Sequence, residues 1–457
     1  MKTDKRQRAT VAPSRRTAVA ASAAARTRPF PVVMLAHARP NRLKRTLASL
    51  LEVRGLDRER TFIVQDGNNA EVSRLVRSVG LRLVRLPLAS EAERARDARE
   101  VEQGVADTSE VGLKGARIAK AYGRALSHAF DRLTDDEAVV VVEDDLLFSA
   151  DLMEFFLAGF HVMSHDPTIW CVSAWNDNGF GGLVGNGTCV RRTGYFPGLG
   201  WLLSRRLFKE ELEPKWPSGH WDHWMRSETV HRTSKGRECL YPEVPRTFHH
   251  GAQGTFMDDA LHKKYFAPIA HNRDRSVSWP PAAYAGLRAA LSAAAYESAL
   301  RERIRRARPV RAAELAELVA GDGGGGSGGA PLAIWYTQAP RPSKNDAGQR
   351  HSLFKEIAAF VGIWHEPRRS SHEGVHEFQC LGRPLLLVNT LVGADNHASP
   401  YCDLQVGREA AGPWQASTTW TSVDEFRRAV KKAAKARAVH RKARAPLVGV
   451  CRGGREG

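Results

Sequence analysis

Ala138-Val-Val-Val-Val-Glu-Asp-Asp-Leu146 decides the reading of this chain. A run of valines without polar alternation reads as a strand covered on both faces of a parallel sheet. Three carboxylates, Glu143, Asp144 and Asp145, then arrive together at its end. Burying them at the end of an apolar strand is costly unless another charge compensates. A divalent cation is the obvious compensator, and hard oxygen ligands select magnesium or manganese over zinc or copper. In open α/β sheets ligands bind beyond the carboxyl ends of the strands, so a metal-bound phosphate compound is expected here. The plainer alternative is a charged turn after a core strand.

Upstream of this strand the hydrophobic period alternates between two values. Pro31–His37 is strand-like, and Asn41–Leu51 carries Leu43, Leu47, Leu50 and Leu51 at helical spacing. Thr61–Val64 reads as a strand ending in Gln65-Asp66-Gly67, Val72–Val79 as a short helix and Leu81–Leu86 as a strand. Residues 89–115 read as a charged surface loop. Arg117–Leu133 is an amphipathic helix with Ile118, Tyr122, Ala125, Leu126 and Ala129 on one face. This order predicts an α/β fold with a mostly parallel sheet and helices on both faces. No Gly-x-Gly-x-x-Gly follows the first strand and there is no phosphate loop, which argues against a dinucleotide enzyme or nucleoside triphosphatase.

Downstream, residues 170–260 are rich in Trp, Gly and Pro and poor in period, as expected of an active-site floor built from loops. Residues 285–307 read as helical and basic. Gly321–Gly329 is nearly all glycine, a flexible linker. Pro331–Tyr336, a Phe354–Phe360 helix, Glu377–Cys380 and Pro384–Val388 suggest a small α+β domain. The expected division is a disordered basic tail (1–29), a catalytic domain (30–308), a linker (309–330), a small C-terminal domain (331–403) and a partly disordered basic tail (404–457). A basic helix is expected near Val423–Arg441 in the last of these.

The chain has 457 residues, 42% hydrophobic and 26% charged, a soluble globular composition with ample core. Its net charge of +18 is concentrated at the ends: residues 1–30 carry +7 and residues 426–457 carry +10. The middle is close to neutral, which is not the charge pattern of a nucleic-acid groove. The six cysteines match no zinc spacing and are too few for a disulfide scaffold. Asn186-Gly-Thr188 is a glycosylation acceptor triplet. No apolar run reaches the roughly 18 residues needed to span a bilayer. The Arg/Ala-rich start reads as a transit-like segment, a feeble signal core or a basic tail.

Several segments then fall in one order: Val140-Val-Val-Glu-Asp-Asp-Leu146, Trp170-Cys-Val-Ser-Ala-Trp-Asn-Asp-Asn-Gly179 and Phe196-Pro-Gly-Leu-Gly-Trp-Leu-Leu203, then Glu211-Leu-Glu-Pro-Lys-Trp-Pro217, Trp221-Asp-His-Trp-Met-Arg226 and Pro242-Glu-Val-Pro-Arg-Thr247. Together they resemble glycosyltransferase family 13, the N-acetylglucosaminyltransferase I family, over roughly residues 30–270. The likeness continues more weakly through Ile334-Trp-Tyr-Thr337, Phe360-Val-Gly362 and Glu377-Phe-Gln-Cys-Leu-Gly-Arg383. The resemblance implies a GT-A, Rossmann-like nucleotide-sugar domain plus a small C-terminal domain. The implied activity is inverting transfer of N-acetylglucosamine from UDP-GlcNAc to a terminal α-mannose of an N-glycan, forming a β1,2 link. The implied metal is Mn2+ and the implied compartment the Golgi, although no membrane anchor is visible.

By the same resemblance, Asp145 matches the direct metal ligand, with diphosphate oxygens and waters completing the shell. Glu143 and Asp144 match positions that hold sugar-nucleotide hydroxyls. Asp66 matches the acid that reads the uracil edge, although alone it would pass for a turn residue before Gly67. Arg39 matches a nucleotide-contacting arginine. Leu199 and Trp221 match walls of the sugar pocket, and Arg226 and Arg237 match arginines near the diphosphate and its closing loop. Asp222 is the expected general base. Inversion by direct displacement needs one carboxylate opposite the leaving group, and Trp221 and Trp224 would restrict water around it; the alternative is a helix cap. Cys171 and Cys239 occupy positions that pair in the family. His220 and His223 lack a third ligand, which argues against zinc.

The chain also departs from the pattern. Ala121 stands where the family has a nucleotide-contacting His. His37 or Ala38, and Gly67, stand where its second disulfide has cysteines. Leu207-Phe-Lys-Glu-Glu-Leu-Glu-Pro214 and Gly236-Arg-Glu-Cys239 also resemble a sister enzyme acting on O-linked mannose, which lacks the C-terminal domain and usually has Glu-Glu-Asp at Glu143–Asp145. A different class of reading is a degenerate transferase fold that binds glycans or polyanions without catalysis. Retention of Asp145 and Asp222 argues against that.

Overall fold

The valines 139–142 divide between two cores. Val140 and Val142 join Val32, Met34, Leu43, Leu47 and Phe156 on one face. Val139 and Val141 join Val33, Phe62, Tyr122, Leu126 and Phe130 on the other. A strand whose alternate side chains enter different cores has no solvent face, and so no polar alternation. The computed structural model describes residues 26–86, 91, 95, 110–216, 234–311, 314, 329–338, 352–380, 382–392, 397–404 and 419–440. The expected N-terminal tail up to residue 25 and the Trp221–Arg226 motif lie outside them, as does most of the expected 89–115 loop.

Four parallel strands form the first half of the main sheet: β1 (Val32–Ala36), β2 (Thr61–Gln65), β3 (Arg82–Arg85) and β4 (Ala138–Glu143), in the order β3-β2-β1-β4. Helix α1 (Pro40–Leu50) follows β1, with Pro40 in its first turn, where no N–H is needed. It buries Leu43, Leu47 and Leu50 along one stripe, each contributing roughly 1.5–3 kcal/mol. Helix α2 (Ala70–Ser78) is capped by the Asn69 side chain, which accepts from the backbone N–H groups of Glu71 and Val72. Helix α3 (Glu110–His128), closed by a π turn over Ala129–Leu133, covers the opposite face and leads into β4. The helix expected to start at Arg117 therefore begins earlier, at Glu110.

The sheet does not stop there. After the ribbon strand β5 (Leu146–Phe148) and the buried helix α4 (Leu152–Met163) come β6 (Ile169–Ser173), β7 (Val190–Thr193), β8 (Trp201–Ser204) and β9 (Glu238–Pro242). They extend the order as β4-β8-β6-β9-β7, with β8 antiparallel to both neighbours. This corrects the expectation of an irregular floor across 170–260. The strands escaped notice because they are short and because charge occupies core positions. Arg191 and Arg192 on β7 are buried, held by Glu243 at 2.7 Å and by Glu238 at 2.7 Å with Asp166 at 3.0 Å. A final strand, β10 (Thr247–His249), pairs antiparallel with β5. The implied disulfide is present: Cys171 on β6 and Cys239 on β9 are register partners and bonded. Cys380 is also disulfide-bonded, while Cys189 and Cys402 are free thiols.

Helices α5 (Tyr284–Leu291) and α6 (Ala293–Arg306) lead to a second sheet. Its strands are β11 (Arg308–Pro309), β12 (Leu332–Tyr336), β13 (Val375–Cys380) and β14 (Arg383–Asn389); after a small hairpin, β15 (Leu391–Val392) with β16 (His397–Ala398), comes β17 (Thr419–Trp420). Helix α7 (Leu353–Val361) ends on Gly362 in the left-handed region, and α8 (Val423–His440) packs Phe426 against Phe360 and Trp420. This unit is wider than expected. Arg308 and Pro309 lie opposite Leu332 and Ala333, and Thr419 lies opposite Trp335. Residues assigned to domain end, linker and tail thus complete its sheet, because β12 needs partners along its whole open edge.

The two units share a core. Tyr265 stacks on Trp364 with ring centroids 3.9 Å apart, and Trp175 stacks on Phe266 at 5.7 Å. The Trp175-Asn-Asp-Asn178 stretch forms the polar seam: Arg369 pairs with Asp177 at 2.7 Å, and Trp364 N–H donates to Asn178 at 3.0 Å.

Candidate active site

Register brings the candidate residues to one edge. Leu35 is opposite both Val64 and Glu143. Everything that follows β1, β2 and β4, including His37, Arg39, Asp66, Asp144 and Asp145, therefore leaves the sheet at the same carboxyl-terminal rim. Trp201 is opposite Val141 on antiparallel β8, so Leu199, two residues earlier, reaches that rim as well. Leu199 has φ 48°, between Gly198 at 69° and Gly200 at 95°. A leucine in this region carries about 1–3 kcal/mol of strain. The turn is pinned by Ser173 Oγ donating to Gly198 O at 2.9 Å, Ala174 N to Gly200 O at 2.8 Å and Thr247 Oγ1 to Leu199 O at 2.7 Å.

The acids differ in their surroundings. Glu143 accepts from Tyr122 Oη at 2.8 Å. Burial, with the Asp145 charge added, pushes its carboxyl up to about 7. Asp144 is also raised, chiefly by burial, although Arg39 opposes this. Arg39 Nη2 donates to Asp144 and Nη1 to Asp145 Oδ2 at 2.8 Å. Burial works against the Arg39 charge, but Asp145 and Asp144 raise its pKa overall. Arg42 Nη1 lies 4.0 Å from Asp145 Oδ2. Asp145 is 5% exposed, and its other oxygen, Oδ1, is buried without a hydrogen-bond partner.

Strand β10 supplies residues the sequence reading missed. His249 Nε2 lies 3.6 Å from Asp145 Oδ2, and burial holds the His249 imidazole below its ordinary pKa. His250 N–H donates to Asp145 O at 3.0 Å, while its ring meets Thr46 Oγ1 at 3.1 Å. A Cβ on Gly251 would come within 2.7 Å of Asp145 Oδ2, so only glycine allows this approach. The available signal was Phe248-His-His-Gly251, directly after a quoted segment. Asp66 is more open: Arg124 reaches its carboxylate at 3.3 Å and His37 Nδ1 its carbonyl at 2.6 Å. Ala121 is buried on α3 beside Tyr122, which alone of the two reaches the acids.

The GNT-I family model matches residues 1–325. The chain belongs to the GNT-I family. A curated relative of this GNT-I family chain, alpha-1,3-mannosyl-glycoprotein 2-beta-N-acetylglucosaminyltransferase of Arabidopsis thaliana, is 37% identical over 163 residues. That match covers 36% of this chain and 35% of the relative, so it spans about a third of the relative's length. Among solved structures, glucosyl-3-phosphoglycerate synthase from Mycobacterium tuberculosis, with Mn2+, UDP and glucosyl-3-phosphoglycerate, matches at 16% identity over 42% of this chain and 60% of that one, TM-score 0.23. CMP:2-keto-3-deoxy-manno-octonic acid synthetase complexed with CTP matches at 12% identity over 51% of this chain and 96% of that one, TM-score 0.30. Family membership rests on the sequence match.

Within this GNT-I family fold, Arg39, Asp66, Glu143, Asp144, Asp145 and Leu199 converge on one rim. Arg237 does not. Leu240 on β9 is level with Val172, and Val172 and Val140 both face Leu202. Arg237 therefore lies about 20 Å below Glu143 along the strand direction. There it pairs with Glu211 at 2.8 Å and donates to Ser234 O at 2.7 Å. Its expected place near the diphosphate is corrected on that geometry: it precedes the amino end of a strand whose carboxyl end faces the site. Trp221, Asp222 and Arg226 lie outside the described residues, as do His220 and His223. Glu243 and Arg246, prominent in the resemblance, are structural. Arg246 and Asp151 form a fully buried pair at 2.9 Å that also takes Trp279 Nε1 at 2.9 Å.

Proposed function

We propose that this chain transfers N-acetylglucosamine from UDP-GlcNAc to a terminal α-mannose of an N-glycan, with inversion and a β1,2 link, using Mn2+. The observation that carries the reading is Asp145 Oδ1, a buried carboxylate oxygen without a donor, at the rim where Arg39, Arg42 and Leu199 converge. An orphaned buried oxygen of this kind fits a hard cation. Among the described residues no cluster of three or more His, Cys, Asp or Glu is placed to hold a metal. The site therefore suits a cation whose shell is completed by diphosphate oxygens and water. Bound there, Mn2+ would supply Lewis-acid stabilisation of charge on the departing UDP.

The chain's own residues take the remaining work. Arg39 and Arg42 stand where the diphosphate charge would lie. Glu143 and Asp144 receive ribose and sugar hydroxyls, Asp66 reads the uracil edge, and Leu199 and Trp221 wall the sugar. Asp222 would remove the proton from the acceptor hydroxyl as that oxygen attacks the anomeric carbon and UDP departs, and Arg226 is assigned to the leaving phosphates. The second sheet supports an N-glycan acceptor over O-linked mannose, since the sister enzyme lacks that unit. The Cys171–Cys239 bond supports an oxidising compartment such as the Golgi lumen. No helix among the described residues is long and apolar enough to cross a membrane.

Incubation with labelled UDP-GlcNAc, Mn2+ and a panel of mannosides, followed by linkage analysis, tests the reading. A β1,2-linked product on N-glycan mannose is expected. Transfer only to O-mannosyl peptides would change the acceptor, and absence of any transfer or UDP release would end the enzymatic reading.

A further inference from the structure

We propose that His249 is a second protein ligand of the divalent cation held at Asp145. This rests on the metal-dependent reading above and adds to it a site of mixed oxygen and nitrogen donors. The ribbon of β5 and β10 places His249 opposite Leu146, the residue after Asp145. The His249 ring thereby comes within 3.6 Å of Asp145 Oδ2, beyond hydrogen-bond distance. Two donors on adjacent positions of one ion, with bonds of about 2.1 Å, stand about 3 Å apart. A small side-chain adjustment closes that gap. His249 and Asp145 are both more than nine-tenths buried. Arg39 holds Oδ2 at 2.8 Å, so the ion would take Asp145 Oδ1, the oxygen without a partner, together with Nε2, the His249 nitrogen that faces this carboxylate.

The surroundings hold His249 in place. Its carbonyl meets His262 Nε2 at 3.2 Å, and its ring lies 5.1 Å from that of Phe266. His250 is committed elsewhere, to Thr46 through its ring and to Asp145 O through its backbone. Gly251 leaves the approach to Asp145 open. Imidazole binds divalent first-row transition cations, Mn2+ the most weakly of them, and is a poorer ligand still for magnesium. The mixed donor set should therefore bias the site toward Mn2+ over Mg2+, which a lone carboxylate would not do.

The test is Mn2+ titration of the full chain in the presence of UDP, read by electron paramagnetic resonance, with electron spin-echo detection of nitrogen coupled to the bound ion. Wild type, His249→Ala, His249→Gln and Asp145→Asn are compared, and Mg2+ competition is measured for each. Imidazole nitrogen coupling in wild type is expected, with its loss in both His249 variants. Their Mn2+ Kd should rise at least about tenfold, with little change for Mg2+. Bound Mn2+ without nitrogen coupling, or a Kd unchanged in the His249 variants while Asp145→Asn abolishes binding, would overturn the His249 assignment and leave the metal reading intact. No Mn2+ binding by the wild type with UDP would overturn both. The wild-type spin-echo result decides the matter even if a His249 variant fails to fold.

Discussion

Arg39 Nη1 donates to Asp145 Oδ2 at 2.8 Å while its second terminal nitrogen holds Asp144. One guanidinium therefore compensates both acids at the end of β4. This is the charge a divalent cation would also supply, so arginine and metal act on the same electrostatic debt. The Arg39 side chain is 37% exposed at that rim.

Arg39→Ala should lower stability without metal by about 1–3 kcal/mol, the usual worth of a charged hydrogen bond whose partner stays buried. Mn2+ added without UDP should then raise the melting temperature of the variant by more than that of the wild type. Equal shifts in the two proteins would separate Arg39 from the metal site.

Asp222→Asn should reduce turnover by roughly 10²–10⁴, the range for a positioned general base, with donor KM little changed. Steady-state kinetics with saturating Mn2+ measure this. Near-normal kcat would remove Asp222 from the proton transfer.

His372 predicts a pH dependence remote from the chemistry. Its Nδ1 meets Glu238 at 2.6 Å and its Nε2 meets Glu297 at 3.2 Å, and Glu373 adds charge nearby. Arg192 shares Glu238, and Tyr401 Oη donates to Glu297 at 2.8 Å. Burial opposes the imidazolium, but hydrogen bonds to the two carboxylates raise its pKa from 6.5 to about 9. A raised histidine contributes stability that is complete below its unfolded pKa. That contribution declines as pH rises through about 9. His372→Gln should cost roughly 2–3 kcal/mol at pH 6 and much less at pH 9.5. Urea unfolding at both values checks this, and an equal cost at the two would contradict it.

The alternating periods between Pro31 and Asp145 were legible because Leu43, Leu47 and Leu50 repeat along one helical stripe and Val139–Val142 form an uninterrupted run. The strands β6 to β9 were not, because Arg191 and Arg192 fill core positions only in the company of Glu243, Glu238 and Asp166, residues far apart in the chain. In the site, the acidic triplet announced itself. His249 did not, since nothing in its local pattern says which side of β10 faces Asp145. Arg237 looked like a site residue by its place in a segment, yet it precedes β9 at the opposite end of the sheet.

From its residues alone, this chain determines an α/β sheet ending in clustered carboxylates and membership of the GNT-I family, because hydrophobic period and local order need no partner to be read. Only the tertiary structure decides which charges meet. Strand register puts Arg39 and His249 beside Asp145 and carries Arg237 away from it. The second unit likewise gains its outer strands from either side of the glycine run, because an open strand edge is satisfied by whatever backbone folds back against it.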